Sequence, residues 1–528
     1  MTTEILEPGP ARGSRRRLLL GGAAVASAAV LGESALAGEA VAAATYRVRP
    51  YRKTKVPTRA QLHMMNRMGC GYSRGTWKQM RKAGGATAWF NKQLKPGRVA
   101  ESTKAKALAG WYPDLGDSPA RKWTRAKANT KDGWEYAVDL ANYSMARRMY
   151  SNRQVFENMV EFWSNHLHIP SNGDLCWVQR ADYDTLIRKH ALGRFDEMLV
   201  AASLHPAMLL YLDNWRSEKD APNENQGREL LELHTVGRTS GYTEQMVKDS
   251  AKILSGYTVH AFESFKGFYD PARHTTGPVQ VLGFSDPNRS ADGSRLAKEY
   301  LTYLAHHPAT ARTIARKLAL RFVSDSPSNE LVSHLAKVFL TSGTDIKATL
   351  RALVAHKEFK RSTRDKVRTP VEDLVATVRV LGVNAYKPTG PRAFGNVMSW
   401  VHQSMVLYQW PRPDGPPDRN SAWSSATRML SSFRMHWNLA GGWYPTANVS
   451  YRKHASWLPK KRIRLDQYVD HLCRTLHGTP STPRILKAAV QAVGYGPGEV
   501  ITKNHPIANW MFVRLLGVLL DSPQHMTR

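Results

Sequence analysis

Along most of the chain apolar residues recur every three to four positions, the spacing that gathers them on one stripe of a helix. Such stripes cover Phe156 to Leu167, Ala207 to Trp215, Glu224 to Val236, Glu244 to Leu254, Ala309 to Val323, Leu331 to Leu340 and Val371 to Leu381. After Thr243, the residues Met246, Val247, Ser250, Ala251 and Leu254 share a face, and Gly256 stands where a helix would stop. Two starts carry a chemical mark. Thr58-Arg59-Ala60-Gln61 and Thr369-Pro370-Val371-Glu372 each place a hydroxyl three positions before a Gln or Glu, the reciprocal pair that satisfies free backbone donors, and Pro370 takes the first helical position. Strand signals are few. The best, Tyr257 to Phe268 and Val279 to Phe284, are expected to form a small hairpin. The pattern therefore predicts a mainly α fold, a large multi-helix domain with a small β-hairpin element. No repeat of fixed period is visible, which argues against a solenoid.

The first 44 residues break this pattern. Ser14-Arg15-Arg16-Arg17-Leu18-Leu19 precedes an Ala- and Gly-rich apolar run from Leu18 to about Leu31, with small-residue cleavage candidates at Ala35-Leu36-Ala37 and Ala42 to Ala44. This is the order of a twin-arginine signal peptide, and the run is shorter than the ~20 residues that span a bilayer. Residues 45–57 are basic and aperiodic, as suits a tether, and 58–528 read as one domain. From about residue 400 the Pro-rich stretch Trp410-Pro411-Arg412-Pro413-Asp414-Gly415-Pro416-Pro417 allows a subdomain. Trp423, Trp437 and Trp443 follow it, as core residues or as sugar-stacking rings.

Composition bounds the partners. The 75 basic residues exceed the 43 acidic ones to give a net charge of +32. In the leader Arg12, Arg15, Arg16 and Arg17 are balanced by Glu4, Glu7, Glu33 and Glu39, so the excess belongs to the exported part. Outside a cell such charge favours anionic cell-wall polymers or polysaccharide over specific nucleic-acid binding. The dense run Lys460-Lys461-Arg462-Ile463-Arg464 suits a solvated face. Cys70, Cys176 and Cys473 permit at most one disulfide.

Two helices place ionisable groups where a plain core would not want them. In the first, His166 and His168 grip one metal ion only if the backbone leaves the helix, since on a helix their rings diverge. In the second, Asn225, Arg228, Glu229 and Glu232 share a narrow wedge, while Leu230, Leu233 and His234 point away. That wedge suits acid–base work or metal ligation, or else an intrahelical ion-pair network. His274 lies in a turn-rich loop before Val279, and His306-His307-Pro308 marks a helix start. Serine-hydrolase, phosphate-loop, dinucleotide and His-Glu-x-x-His signatures are absent. The candidate centre is thus catalytic Arg228, Glu229 and Glu232 with His166, His168, His234 and His274 as ligands to a divalent or redox metal ion.

Phe162-Trp163-Ser164-Asn165-His166, the block from Pro206 to Asp213, Asn223-Glu224-Asn225 with Arg228-Glu229-Leu230-Leu231-Glu232-Leu233, and Gly241-Tyr242-Thr243-Glu244 resemble, in this order, the bacterial family called domain of unknown function 1800. His274 with Gly277, Leu282-Gly283, and His307-Pro308-Ala309-Thr310-Ala311 running to Lys317-Leu318-Ala319 extend the likeness. The resemblance implies export and a large helical domain, without an established reaction. Two functions stay open: a metal-dependent exported enzyme with a His/Glu site between helices, and a non-catalytic envelope protein that binds anionic wall polymers.

Overall fold

Each apolar stripe is helical, although that from Ala207 to Trp215 breaks at the left-handed Asp213 into a helix, Pro206–Tyr211, and a 3-10 turn, Asn214–Arg216. The computed structural model describes residues 46–173, 175–389 and 407–528. The expected leader, 1–44, lies outside them, as do Asp174 and residues 390–406 at the start of the expected subdomain. Ten helices position the candidate site and the buried polar groups around it: α1 (Arg59–Arg67), α2 (Gly133–Tyr150), α3 (Gln154–His166), α4 (Glu224–Glu229), α5 (Glu244–Leu254), α6 (Pro308–Phe322), α7 (Pro370–Leu381), α8 (Ala426–Gly441), α9 (Phe512–Leu520) and α10 (Pro523–Met526). Both expected capping boxes form. At α1 Gln61 N–H donates to Thr58 Oγ1 (3.2 Å) while Thr58 N–H donates to Gln61 Oε1 (3.1 Å). At α7 the corresponding distances between Thr369 and Glu372 are 3.3 and 3.0 Å.

The strand segments depart from the expected single hairpin, because each folds back on itself. β1 (Tyr257–Val259) pairs with β2 (Gly267–Tyr269), and β3 (Val279–Val281) with β4 (Phe284–Asp286), all antiparallel. The turn between β3 and β4 is Leu282-Gly283, with φ of 48° and 91°, the left-handed pair that suits the twist of a tight hairpin. Two further short pairs, β5 (Asn384–Ala385) with β6 (Val449–Ser450) and β7 (Ile463–Arg464) with β8 (Val500–Ile501), tie distant segments together.

An apolar cluster from Leu62 to Phe359 forms the main core, with Phe162 and Trp163 of α3 inside it. α4 packs on α5 through Gly227, where a Cβ would lie 2.9 Å from Ala251 N and 3.1 Å from Val247 O. Only glycine lets the two backbones approach so closely. Val48–Arg528 form one compact unit. Within it residues 48–57 of the expected tether have no helix or strand but are held: Tyr51 N–H donates to Asp470 Oδ2 (2.6 Å) and Thr54 Oγ1 lies 2.7 Å from His471 Nδ1. The three cysteines are buried and form no disulfide. Among the described residues no helix is long and apolar enough to cross a membrane.

A largely buried ion network links α2, α3, α6 and α7. Arg321 of α6 reaches Glu161 (2.8 Å), Glu372 (3.0 Å) and Asp418 (3.0 Å); Arg148 of α2 also pairs with Glu161, and Arg528 with Glu372 (3.1 Å). Burial disfavours each charge alone, so the members depend on one another. Arg67 of α1 donates to the backbone oxygen of Arg528 (3.0 Å) and to Val323 O (2.9 Å), which joins the two ends of the unit.

Candidate functional site

α3 stops at His166 because Leu167 leaves helical geometry, with φ −102° and ψ 59°. His166 Nε2 lies 3.1 Å from His234 O. A carbonyl only accepts, so Nε2 carries the hydrogen and Nδ1 presents a lone pair. That lone pair faces Lys317 Nζ of α6 at 2.8 Å, and Lys317 also donates to Leu233 O (3.3 Å). Burial lowers the Lys317 pKa to about 8, and Asp418 and Asp414 offset this only through space. Burial first, and then the Lys317 charge and His234, hold His166 well below its usual value, so the ring is a neutral acceptor for the ammonium.

His234 reaches this point through an irregularity that the sequence pattern does not show. α4 ends at Glu229 and Leu230–His234 is a π-helix. The wider turn changes the phase of the residues after Glu229. The His234 ring then stands 6.4 Å from that of His166, and its Nε2 is buried without a hydrogen-bond partner. Burial, then Lys317 and His168, lower His234 to about 3. His168 lies just beyond α3, where Nε2 meets Trp410 O at 2.9 Å, and burial lowers it to about 4.

The acidic wedge divides. Arg228 turns outward to Glu244 (2.7 Å) and Glu224 (3.2 Å), and Glu232 pairs with Arg238 (2.8 Å). Glu229 is half-buried, and its Oε2 is enclosed with no hydrogen-bond partner. Burial raises its pKa, and the charges of Glu232 and Asp414 raise it further against Arg238 and Arg228.

The Pro-rich stretch closes the site. Gly415 has φ +71°, and a Cβ there would lie 2.2 Å from Asn165 O, so glycine alone lets this loop lie on the end of α3. The result is a cavity of about 200 Å³ lined by Phe162, Asn165, His166, Lys317, Asp414 and Asp418 among others. His274 is elsewhere: it is buried, with Nε2 2.8 Å from Asn288 Oδ1 and Nδ1 3.1 Å from Ser255 O. His307 caps α6 by accepting from Ala309 N–H (3.2 Å).

Sequence reasoning missed Lys317, Asp414 and Asp418. A signal existed, since Lys317 and Arg321 lie four apart on the stripe that carries Ile314 and Leu318. It also missed a buried group in the C-terminal third. Asp373, His436 and His525 place three donor atoms within 4.8 Å of one another and could hold a metal ion. Among the described residues His166, His168, His234, His274, Glu229 and Glu232 form no such three-atom group.

The model of the family described as "Protein of unknown function (DUF1800)" matches residues 63–527. No curated protein and no solved structure matches the chain.

Proposed function

The chain belongs to the DUF1800 family, and from that premise we propose that it is an enzyme whose acid–base centre is Lys317, positioned by His166, in the cavity that the Asp414–Arg419 loop closes. The observation that carries this reading is a part-buried lysine amine on the cavity wall with a neutral imidazole and a carbonyl as its hydrogen-bond partners. A buried ammonium is costly, and one lowered to about 8 is poised to give up its proton near neutral pH. Two of its three hydrogens are taken by His166 Nδ1 and Leu233 O, which leaves the third for an oxygen in the cavity. In this reading Lys317 polarises a substrate oxygen in the cavity and gives it a proton. The cavity volume favours a small polar group.

The test is the pH profile of mild reductive methylation, resolved by peptide mass spectrometry. Lys317 is expected to react with a midpoint near 8, well below exposed lysines; a midpoint near 10.5 overturns the reading. Once a substrate is found by screening, Lys317→Met is expected to reduce kcat by roughly 10²–10⁴-fold.

A metal-assisted version rests on a separate observation, the two enclosed atoms His234 Nε2 and Glu229 Oε2 that have no hydrogen-bond partner. It requires His234→Ala and Glu229→Gln to lower the metal content of the purified protein, and unchanged content in both removes it. Export by the twin-arginine route and retention on anionic wall polymers belong to the same proposal. The leader sequence and the excess positive charge support them.

A further inference from the structure

The C-terminal third holds a donor set that the acid–base centre does not use. α7 presents Asp373 and, four residues on, Thr377; α8 presents His436; α10 presents His525. Asp373 and His436 are 0% exposed and His525 is 3% exposed. His436 Nε2 lies 3.1 Å from Asp373 Oδ1, and His525 Nε2 lies 3.7 Å from the same oxygen. Two ligands held ~2.0–2.2 Å from a zinc ion at the tetrahedral angle are ~3.3 Å apart. Both rings therefore stand near coordination spacing from the carboxylate, and all three donor atoms lie within 4.8 Å of one another.

The surroundings fit a metal site as well. The other nitrogen of His436 faces Asp521 Oδ1 at 2.7 Å, the carboxylate–histidine arrangement that orients a ligating ring and raises its basicity. Arg428 Nη2 lies 3.3 Å from Asp373 Oδ2, which leaves Oδ1 to the two rings. Thr377 Oγ1, 2.8 Å from His525 Nε2, offers a fourth, neutral oxygen. Asp373 and Asp521 supply two negative charges, one of them partly offset by Arg428.

We propose that Asp373, His436 and His525 bind one divalent transition-metal ion of the zinc type, as a structural tie between α7, α8 and α10. Two imidazoles and one carboxylate favour such an ion over calcium or magnesium, which take oxygen donors. Full burial of the donors suits a closed structural site rather than a catalytic one with an open position.

The full-length protein, stripped with a chelator and re-equilibrated with Zn²⁺ or Co²⁺, tests this. About one equivalent is expected to survive gel filtration, with a visible absorption spectrum of tetrahedral type for Co²⁺. The double variant His436→Gln/His525→Gln is expected to lose it, while His234→Ala and Glu229→Gln keep it. Less than about a tenth of an equivalent in the parent protein overturns the proposal, as does full retention in the double variant or loss confined to the His234 and Glu229 variants. If the double variant fails to fold, Asp521→Asn keeps all three ligands and is expected to weaken binding ~10–100-fold; unchanged affinity overturns the proposal. The acid–base reading stands or falls on Lys317 alone, so the two fail separately.

Discussion

Lys317 offers a test of whether a residue serves the fold or works against it. Its pKa falls from 10.5 to about 8 on folding, so between those values the unfolded chain holds more protons and stability rises with pH. Below about 8 the folded state carries the full penalty, on the order of 3 kcal/mol for a shift of this size. Lys317→Met is therefore expected to raise the urea midpoint at pH 7, with the gain shrinking toward pH 10.5. A variant less stable at pH 7 would show that the amine belongs to the packing. At this scale the sequence was partly legible. His166 stood out because a histidine bordered an apolar stripe, and the structure gives it two partners. Lys317 read as one cation among 75 basic residues, since a long side chain on a helix usually reaches solvent. Asp373, His436 and His525 were beyond reach: they lie 63 and 89 positions apart, on three helices, with no spacing that a local motif could reveal.

Between residue and molecule stand the elements, whose ends were the most readable part of the chain. The Thr58 and Thr369 boxes formed because hydroxyl and acceptor sit three positions apart, a purely local condition. Thr369→Ala is expected to cost about 1 kcal/mol in urea denaturation through the lost cap. The π-turn at Leu230–His234 was not readable, because one widened turn leaves no mark on the spacing of apolar residues, and its contact with Lys317 comes from 84 positions away. The second hairpin forms for a local reason, the left-handed pair Leu282-Gly283, which a search for apolar runs passes over. Gly415 sets the closing loop. Gly415→Ala is expected to leave helicity by circular dichroism intact, to lift the loop from Asn165, and to move the Lys317 midpoint back toward 10.5 as water enters. An unchanged midpoint would mean that the loop does not set the cavity's polarity.

For the whole molecule, the mainly α architecture followed from periodicity, whereas the ion network did not, because its charges come from separate segments of the chain. Glu372→Gln leaves Arg321 and Arg528 short of a counter-charge and is expected to destabilise by about 3–5 kcal/mol in urea denaturation. The proposed retention on wall polymers is expected to weaken steeply between about 50 and 500 mM salt in pelleting assays with isolated cell wall, in line with roughly 10 Å of screening length at 0.1 M. Binding indifferent to salt counts against it.

The bond from Arg67 to the backbone of Arg528 spans 461 positions. Its consequence concerns how the protein is made. α1 can bury its apolar residues in the core cluster that ends at Phe359, but the Arg67 guanidinium gains this acceptor only once Arg528 has been made, and contacts of such long range form slowly. The last step of assembly is therefore expected to be the satisfaction of a buried guanidinium rather than the covering of an apolar face.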